Sequence, residues 1–171
     1  MQQVLSLDQL TYEPLQSQDL KQLLELYHQE AFMKSYGKLE AQKQTLKQLK
    51  IWFDEYEQKK AEFYYSIFLN ETWIGFITLS DFNESQSEAW LSIGIQPTFW
   101  GNGIGSNILK TFIKDCFNQG TIKMIRLSVF ASNERALRLY LKIGFEIEKI
   151  YFKDQLPNHF ETDIYQLYLI H

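Results

Sequence analysis

Three glycines alternate with other residues in one short stretch of the chain. Gly101, Gly103 and Gly105 lie between a stretch with strand-like alternation and a stretch whose apolar residues recur at helical spacing. Glycine permits a positive φ and a close approach of a ligand to the backbone, and the first amides of a helix have no acceptor within the helix. The spacing therefore predicts a strand-to-helix turn that can bind a phosphate. A tight turn that needs glycine only for its shape would have the same pattern.

Two common nucleotide-binding motifs do not match this turn. A dinucleotide fingerprint requires G-x-G-x-x-G, and Ser106 or Ile108 stands where its third glycine should be. The strands before the turn are predicted to form an antiparallel meander, which a parallel Rossmann unit does not contain. A nucleotide P-loop needs Gly-Lys followed by Ser or Thr, and the chain has no such sequence. A dinucleotide-dependent reductase is therefore disfavoured.

Composition narrows the classes of protein further. The 171 residues, of which 45% are hydrophobic, fit a single domain over residues 1–171. The net charge of −4 disfavours a nucleic-acid partner, because such binding depends on neutralising phosphates. One cysteine, Cys116, and three separated histidines predict neither a disulfide nor a metal site. The start lacks a signal-peptide pattern and no apolar run has membrane-spanning length, so we expect a cytoplasmic protein with no membrane partner.

Hydrophobic periodicity predicts elements in the order β-α-α-β-β-β-α-β-α-β-β. Ser17 or Asp19 is expected to cap the first helix, while Gly120 and Gly144 end the last two. Strands are predicted at residues 4–15, 63–69, 73–82, 88–95, 123–130, 145–152 and 159–170, and helices from the cap to 32, over 39–60, from 105 to 120 and over 133–143. This order indicates a mixed α/β (α+β) fold with a mostly antiparallel central sheet flanked by helices.

Two segments resemble the sequence motifs of the GNAT N-acetyltransferase superfamily. The segment from Ser92 to Gly105 is similar to motif A, and the segment from Asn133 to Tyr140, followed by a Gly-Phe pair, is similar to motif B. The two together are far more specific than either alone. Where the family usually has Arg or Gln, this chain has Trp100, and a Trp-Gly start resembles a subgroup that acts on protein N-termini, ribosomal proteins or polyamines. That indole would equally fit simple packing on the sheet edge.

The resemblance implies a reaction and a mode of cofactor binding. The chain is expected to adopt the acyl-CoA N-acyltransferase fold and to transfer an acetyl group from acetyl-CoA to a primary amine, in a small molecule or a peptide N-terminus. Backbone groups of Ile93 and Ile95 would pair with pantetheine, and the Ile95 amide would face the thioester oxygen. Asn133 would contact the cofactor or cap its helix. The resemblance also implies that backbone amides of the glycine turn bind the pyrophosphate of the cofactor. These are the amides of Trp100, Gly101, Asn102, Gly103, Ile104, Gly105 and Ser106.

The resemblance also implies a general acid. Tyr140 matches the residue that protonates the departing thiolate, and a phenol is a donor at neutral pH, although a core tyrosine would fit the same helical stripe. The base is less defined, because Trp90 stands where many relatives have glutamate. Glu88 shares a strand face with Trp90 and could act through water, Asp81 is a second candidate, and an acceptor that arrives deprotonated needs no base.

A catalytically silent acyl-CoA-binding or regulatory module on the same fold is the alternative function. The acceptor groove is expected near residues 32–39 and 153–159, where the resemblance places it, with Phe32, Tyr36, Trp52 and Phe160 as candidate aromatic lining residues. The sequence leaves the acceptor amine open, and it is compatible with either a monomer or a homodimer.

Overall fold

The computed structural model of this chain describes residues 9–59 and 61–171, so the predicted start of the first strand at Val4 lies outside the described residues. The strands are β1 (Leu10–Pro14), β2 (Phe63–Leu69), β3 (Thr72–Ser80), β4 (Glu88–Ile95), β5 (Met124–Phe130), β6 (Glu146–Tyr151) and β7 (Ile164–Ile170). The helices are α1 (Leu20–Tyr27), α2 (Glu30–Tyr36), α3 (Leu39–Gln42), α4 (Leu46–Lys59), α5 (Ile104–Asn118) and α6 (Glu134–Ile143).

Seven strands of the described residues form one sheet in the order β1-β2-β3-β4-β5-β7-β6. β1 with β2, β2 with β3, and β7 with both β5 and β6 pair antiparallel, whereas Glu88–Trp90 pair in parallel with Met124–Arg126. The predicted mixed fold is therefore confirmed. The chain divides into two compact units: the first extends to Ser80 and includes Ser92–Leu109, and the second holds Asp81–Leu91 and Lys110–His171.

The first unit has a core rich in aromatic rings. Tyr27 and Phe32 each meet Phe76 edge-on, with ring centroids 5.9 Å and 6.3 Å apart. The strand pair β2–β3 turns at Asn70 and Glu71, which have φ values of 48° and 64°. Positive φ at both central residues gives a turn whose twist matches that of the strands. The predicted hairpin is confirmed, although β3 ends at Ser80 rather than at residue 82.

The first predicted helix, which was to run to Phe32, is divided into two. α1 ends at Tyr27, and Gln29 adopts an extended conformation with φ −79° and ψ 116° before α2 begins. In a continuous helix the stripe that buries Leu23 and Tyr27 would continue at Glu30 and Lys34. Because the helix is broken at Gln29, α2 turns a different set of side chains towards the core, and Phe32 and Met33 are buried instead.

The second predicted helix, residues 39–60, is also divided. α3 ends at Gln42, and α4 begins after Thr45. The backbone amide and hydroxyl of Thr45 both donate to Gln48 Oε1 at 2.9 Å, and the Gln48 amide donates to Thr45 Oγ1 at 3.3 Å. This reciprocal arrangement is a capping box, and it gives α4 a start that hydrophobic periodicity alone does not reveal.

The second unit buries one face of β5. Ile125, Leu127 and Val129 alternate with more exposed residues, as expected for a strand with one covered face. Cys116, on α5, is 5% exposed, and burial raises the pKa of its thiol to about 12. Gly120 and Gly144 follow α5 and α6 with φ values of 81° and 117°, so both predicted helix ends are confirmed.

The last strand begins later than predicted. β7 starts at Ile164 rather than at His159, because residues 157–160 form a turn in which the Phe160 amide donates to the Pro157 carbonyl at 2.9 Å. Asp163 then holds the connection in place. Its Oδ1 accepts from the Lys153 amide at 2.8 Å, and its carbonyl accepts from the Ala131 amide at 2.9 Å.

A buried carboxylate joins the start of α1 to the hairpin. Asp19, one of the two residues predicted as the cap of α1, makes no side-chain cap there. Its Oδ2 instead accepts from the Gln16 amide at 3.0 Å and from Ser66 Oγ at 2.7 Å. Ser66 Oγ accepts in turn from Trp73 Nε1 at 3.0 Å. Asp19 is 3% exposed, and these hydrogen bonds compensate for the burial of its polar atoms.

We expect Asp19→Ala to lower the free energy of unfolding by about 1–3 kcal/mol, because it leaves a buried hydroxyl and a backbone amide without their acceptor. Urea unfolding followed by circular dichroism measures this loss. Asp54→Ala, an exposed carboxylate on α4, is the control and should change stability by less than about 0.5 kcal/mol. Equal losses in the two variants would contradict the role given to Asp19.

Candidate active site

The end of β4 is held against β3 by a very close backbone approach. A Cβ placed on Gly75 would lie 2.1 Å from the Gly94 carbonyl oxygen, so no larger residue fits at position 75 without moving a strand. A Cβ on Gly94 would lie 2.5 Å from the Phe76 ring and 2.8 Å from the Phe32 ring. Ile93 and Ile95, the two residues expected to pair with pantetheine, lie on either side of Gly94 and are half-buried.

Gln96 attaches the strand end to β3 a second time. Its backbone amide donates to the Ile74 carbonyl at 2.8 Å, and its side-chain amide donates to the Trp73 carbonyl at 3.1 Å. Sequence reasoning missed Gln96, because the partner of an amide side chain depends on tertiary position. The two bonds fix where the turn after β4 begins.

The glycine turn follows directly. Gly101 and Gly103 have φ values of 83° and 75°, a conformation that other residues rarely adopt. Gly101 to Gly103 are exposed, and a Cβ on Gly101 would meet nothing within 4 Å. α5 begins at Ile104, one residue before Gly105, so the amides of its first turn have no acceptor within the helix. The predicted strand-turn-helix is confirmed in conformation.

Side chains hold this turn from both ends. Trp100 Nε1 donates to the Ile95 carbonyl at 2.8 Å, and the Trp100 amide donates to the Pro97 carbonyl at 3.1 Å. Asn107 Nδ2 donates to the Gly103 carbonyl at 2.9 Å. Two groups predicted to meet the cofactor, the Ile95 carbonyl and the Trp100 amide, thus already have partners within the protein. The amides from Gly101 to Ser106 form a shorter cradle than the sequence predicts.

α6 carries the motif B residues in the second unit. Asn133 Oδ1 accepts from the Ala136 amide at 3.2 Å, which confirms the capping alternative for this side chain. Tyr140 is 8% exposed and meets the Phe145 ring edge-on at 5.9 Å. Burial raises the pKa of Tyr140 to about 12, so its hydroxyl carries a proton at neutral pH.

Glu88, a predicted base, belongs to an ion-pair network on the sheet. Glu88 Oε2 pairs with Arg126 Nη1. Arg126 also binds Glu148 in a bidentate manner, with Nε–Oε2 and Nη2–Oε1 distances of 3.0 Å and 3.1 Å. One carboxylate oxygen of Glu88 is therefore already occupied by a guanidinium. Asp81, the other candidate base, is exposed after β3 with a φ of 49°.

The segments expected to form the acceptor groove have distinct environments. In the first unit, Phe32 is 3% exposed and stacks on Tyr36 at 4.9 Å, so it serves the core. Burial raises the pKa of Tyr36 well above its usual value, and its hydroxyl is hydrogen-bonded to Tyr27 and Ser92. In the second unit a hollow of about 430 Å³ is lined by Phe152, Lys153, Asp154, Leu156, Asn158, Phe160 and Asp163.

The network around Arg126 gives a pH-dependent stability. The Arg126 guanidinium holds the pKa of Glu148 below its usual value of 4.5, and Gln166 adds a hydrogen bond in the same direction. A folded-state pKa that is lowered gives stability that is present above the ordinary pKa and is lost as pH falls through the lower value. We therefore expect Glu148→Gln to be less stable than the parent at pH 7, with a difference that shrinks as pH falls below the usual pKa of a glutamate and the carboxyl of the parent becomes protonated.

Urea unfolding at several pH values measures this difference. Glu161→Gln, at an exposed position after the hollow, is the matched control and should leave the pH dependence unchanged. A Glu148→Gln curve parallel to that of the parent between pH 3 and pH 7 would contradict the ion pair's role.

No helix within residues 9–59 and 61–171 combines the length and hydropathy needed to cross a membrane. In the same part of the chain, His, Cys, Asp and Glu side chains do not gather in threes as metal ligands would.

Several known proteins are similar to this chain over most of its length. The uncharacterized N-acetyltransferase YoaA of Bacillus subtilis (strain 168) is 23% identical over 170 residues, 96% of each chain. The spermidine N(1)-acetyltransferase of Escherichia coli (strain K12) is 23% identical over 135 residues, which cover 79% of this chain and 72% of that protein. The solved spermidine N-acetyltransferase from Vibrio cholerae, in complex with CoA and spermine, superposes with a TM-score of 0.86 at 21% identity, over 95% of both chains.

The family assignment agrees with the strand, turn and helix described above. The model of the acetyltransferase (GNAT) domain matches residues 9–146, which include every strand from β1 to β5 and the whole glycine turn. With this match over most of its length, the chain belongs to the GNAT acetyltransferase family.

Proposed function

We propose that this protein transfers the acetyl group of acetyl-CoA directly to a primary amine, with both substrates bound together. The observation that carries the proposal is the turn after β4, where two positive-φ glycines lead into the first amides of α5. Such amides bind phosphate oxygens without any charged side chain. Membership of the GNAT family supports the same reaction.

The exposure of the glycine turn supports a pyrophosphate at this position. Gly101 to Gly103 are exposed, and the space beside Gly101 is open. In the proposal, the amides from Gly101 to Ser106 bind the pyrophosphate, while backbone groups of Ile93 and the amide of Ile95 align the pantetheine arm along β4. Trp100 contributes through its indole rather than its amide. Asn133 adds a cofactor contact only through the Nδ2 side of its amide, because its oxygen caps α6.

The proposed chemistry needs positioning and proton transfer. Acetyl-CoA supplies a thioester, whose carbonyl the amine attacks. An amide such as that of Ile95 stabilises the oxygen that gains negative charge, and holding both substrates converts a bimolecular step into an intramolecular one. Tyr140 donates a proton to the departing thiolate, since its hydroxyl stays protonated at neutral pH.

The proposal gives Glu88 a limited part in removing the amine proton. One of its oxygens is paired with Arg126, and in the proposal the carboxylate takes a proton only through intervening water. Most turnover then uses amine molecules that are already unprotonated when they bind. This role predicts a rate that rises with pH as more of the amine is deprotonated.

The proposed acceptor is a cationic amine such as a polyamine. Two observations support this class. The hollow before β7 is lined by the carboxylates of Asp154 and Asp163, the rings of Phe152 and Phe160, and one cation, Lys153. Its two carboxylates outnumber that cation, and aromatic rings also bind ammonium groups. The net charge of −4 also attracts cations, and two of the relatives described above are named for spermidine.

A thermal-shift panel followed by an amine screen tests the function. At about a hundredfold excess over Kd, a ligand of the native state adds about 2.7 kcal/mol, so acetyl-CoA and CoA should raise the melting temperature by several degrees and NAD should not. Release of free thiol is then measured with spermidine, amino acids and peptide N-termini. A shift with NAD and none with CoA esters would overturn the proposal. Binding of CoA without turnover of any amine would favour the non-catalytic acyl-CoA-binding module.

We expect Tyr140→Phe to lower kcat by about 10²–10⁴-fold, the usual contribution of a general acid, with little change in the affinity for acetyl-CoA. The ring stays, so the packing against Phe145 is retained. Steady-state kinetics and melting temperature are measured on the same protein. Tyr151→Phe is the matched control: it also loses a hydroxyl, which donates to Gln166 Oε1 at 3.0 Å, but should keep its kcat. A folded Tyr140→Phe protein with unchanged kcat would remove this residue from the mechanism.

A further inference from the structure

Trp100 makes a hydrogen bond that links two parts of the candidate cofactor site. Its indole Nε1 donates to the carbonyl of Ile95, the last residue of β4, at 2.8 Å. The Trp100 backbone closes the 3₁₀ turn Pro97–Phe99 and leads directly into Gly101. The bond therefore bridges the residue that ends the strand and the residue that begins the glycine turn.

The surroundings of this bond are fixed on the strand side. Gln96 donates to two carbonyls of β3, and Gly94 lies against Gly75 in backbone contact. The indole itself is half-buried and packs on the aromatic core of the first unit. With the strand held by β3, the indole bond fixes the position of the turn relative to the end of the strand.

We propose that Trp100 is a positioning residue that sets the distance between the pantetheine-aligning strand and the pyrophosphate-binding turn. This inference rests on the proposed function. An extended ligand that binds both segments benefits from their fixed separation, since the ordering is completed before binding. A ligand that binds only the turn does not. The indole also uses one acceptor site of the Ile95 carbonyl.

The test compares a ligand that spans both segments with one that reaches only the turn. Dissociation constants are measured by calorimetry for CoA and for 3′-phospho-ADP, which has the pyrophosphate without the pantetheine arm. We expect Trp100→Phe to weaken CoA binding about three- to tenfold, the loss of one hydrogen bond, and to change 3′-phospho-ADP binding less than about twofold. The ratio of the two constants is a readout that a general loss of stability does not move.

Trp73→Phe is the matched control. It also removes an indole N–H from a hydrogen bond in the first unit, here the 3.0 Å bond to Ser66 Oγ. It should lower the melting temperature and leave the ratio of the two dissociation constants unchanged. If Trp100→Phe does not fold, replacing Trp100 by benzothienylalanine keeps the ring size without the N–H, and the ratio is measured on that protein.

The outcomes separate this inference from the proposed function. A parent protein that binds neither CoA nor acetyl-CoA overturns the function. A parent protein that binds CoA, with a variant at Trp100 whose ratio equals that of the parent, overturns only the role of the indole. An equal weakening of both ligands also overturns it, because the indole would then shape the turn rather than its distance from the strand.

Discussion

The backbone contact between Gly75 and Gly94 is the constraint on which the rest of the first unit depends. A side chain at position 75 would collide with the Gly94 carbonyl, so the two strands approach more closely than ordinary residues permit. The space that Gly94 leaves is filled by rings from α2 and β3. The helices thus pack directly on the backbone that precedes the turn, and the position of the turn follows from the packing of the core.

In the candidate cofactor site, the backbone and the side chains have different roles. The groups proposed to bind the ligand are amides, whose position depends only on φ and ψ. The side chains of Gln96, Trp100 and Asn107 instead hold carbonyls of the same segment. In the proposed binding mode, partial charges on oriented amides replace the whole charges of lysine and arginine, which suits a chain with a net negative charge.

Much of the fold could be predicted from the sequence, for reasons that differ between elements. β2 and β4 have the predicted bounds, and α6 runs from its Asn133 cap to Gly144, because strand alternation and cap residues are local signals. The break at Gln29 could not be predicted, since it satisfies the packing of Phe32 and Met33 rather than any local preference. Glu88 and Arg126 could not be paired, because parallel strands distant in sequence have no local signal for their register. The roles of Tyr140 and of the turn amides come from family resemblance and stay predictions.

The burial of Cys116 has a chemical consequence for a protein that handles thioesters. A thiolate attacks a thioester and takes its acyl group, so an accessible cysteine of ordinary acidity would compete with the intended acceptor. Here the only thiol of the chain lies inside the second unit with its pKa raised to about 12. It stays protonated and out of reach at neutral pH. The protein can therefore be kept with an activated acyl donor without being acylated on sulfur, and any thiol that a reagent detects in the folded state belongs to the spent donor.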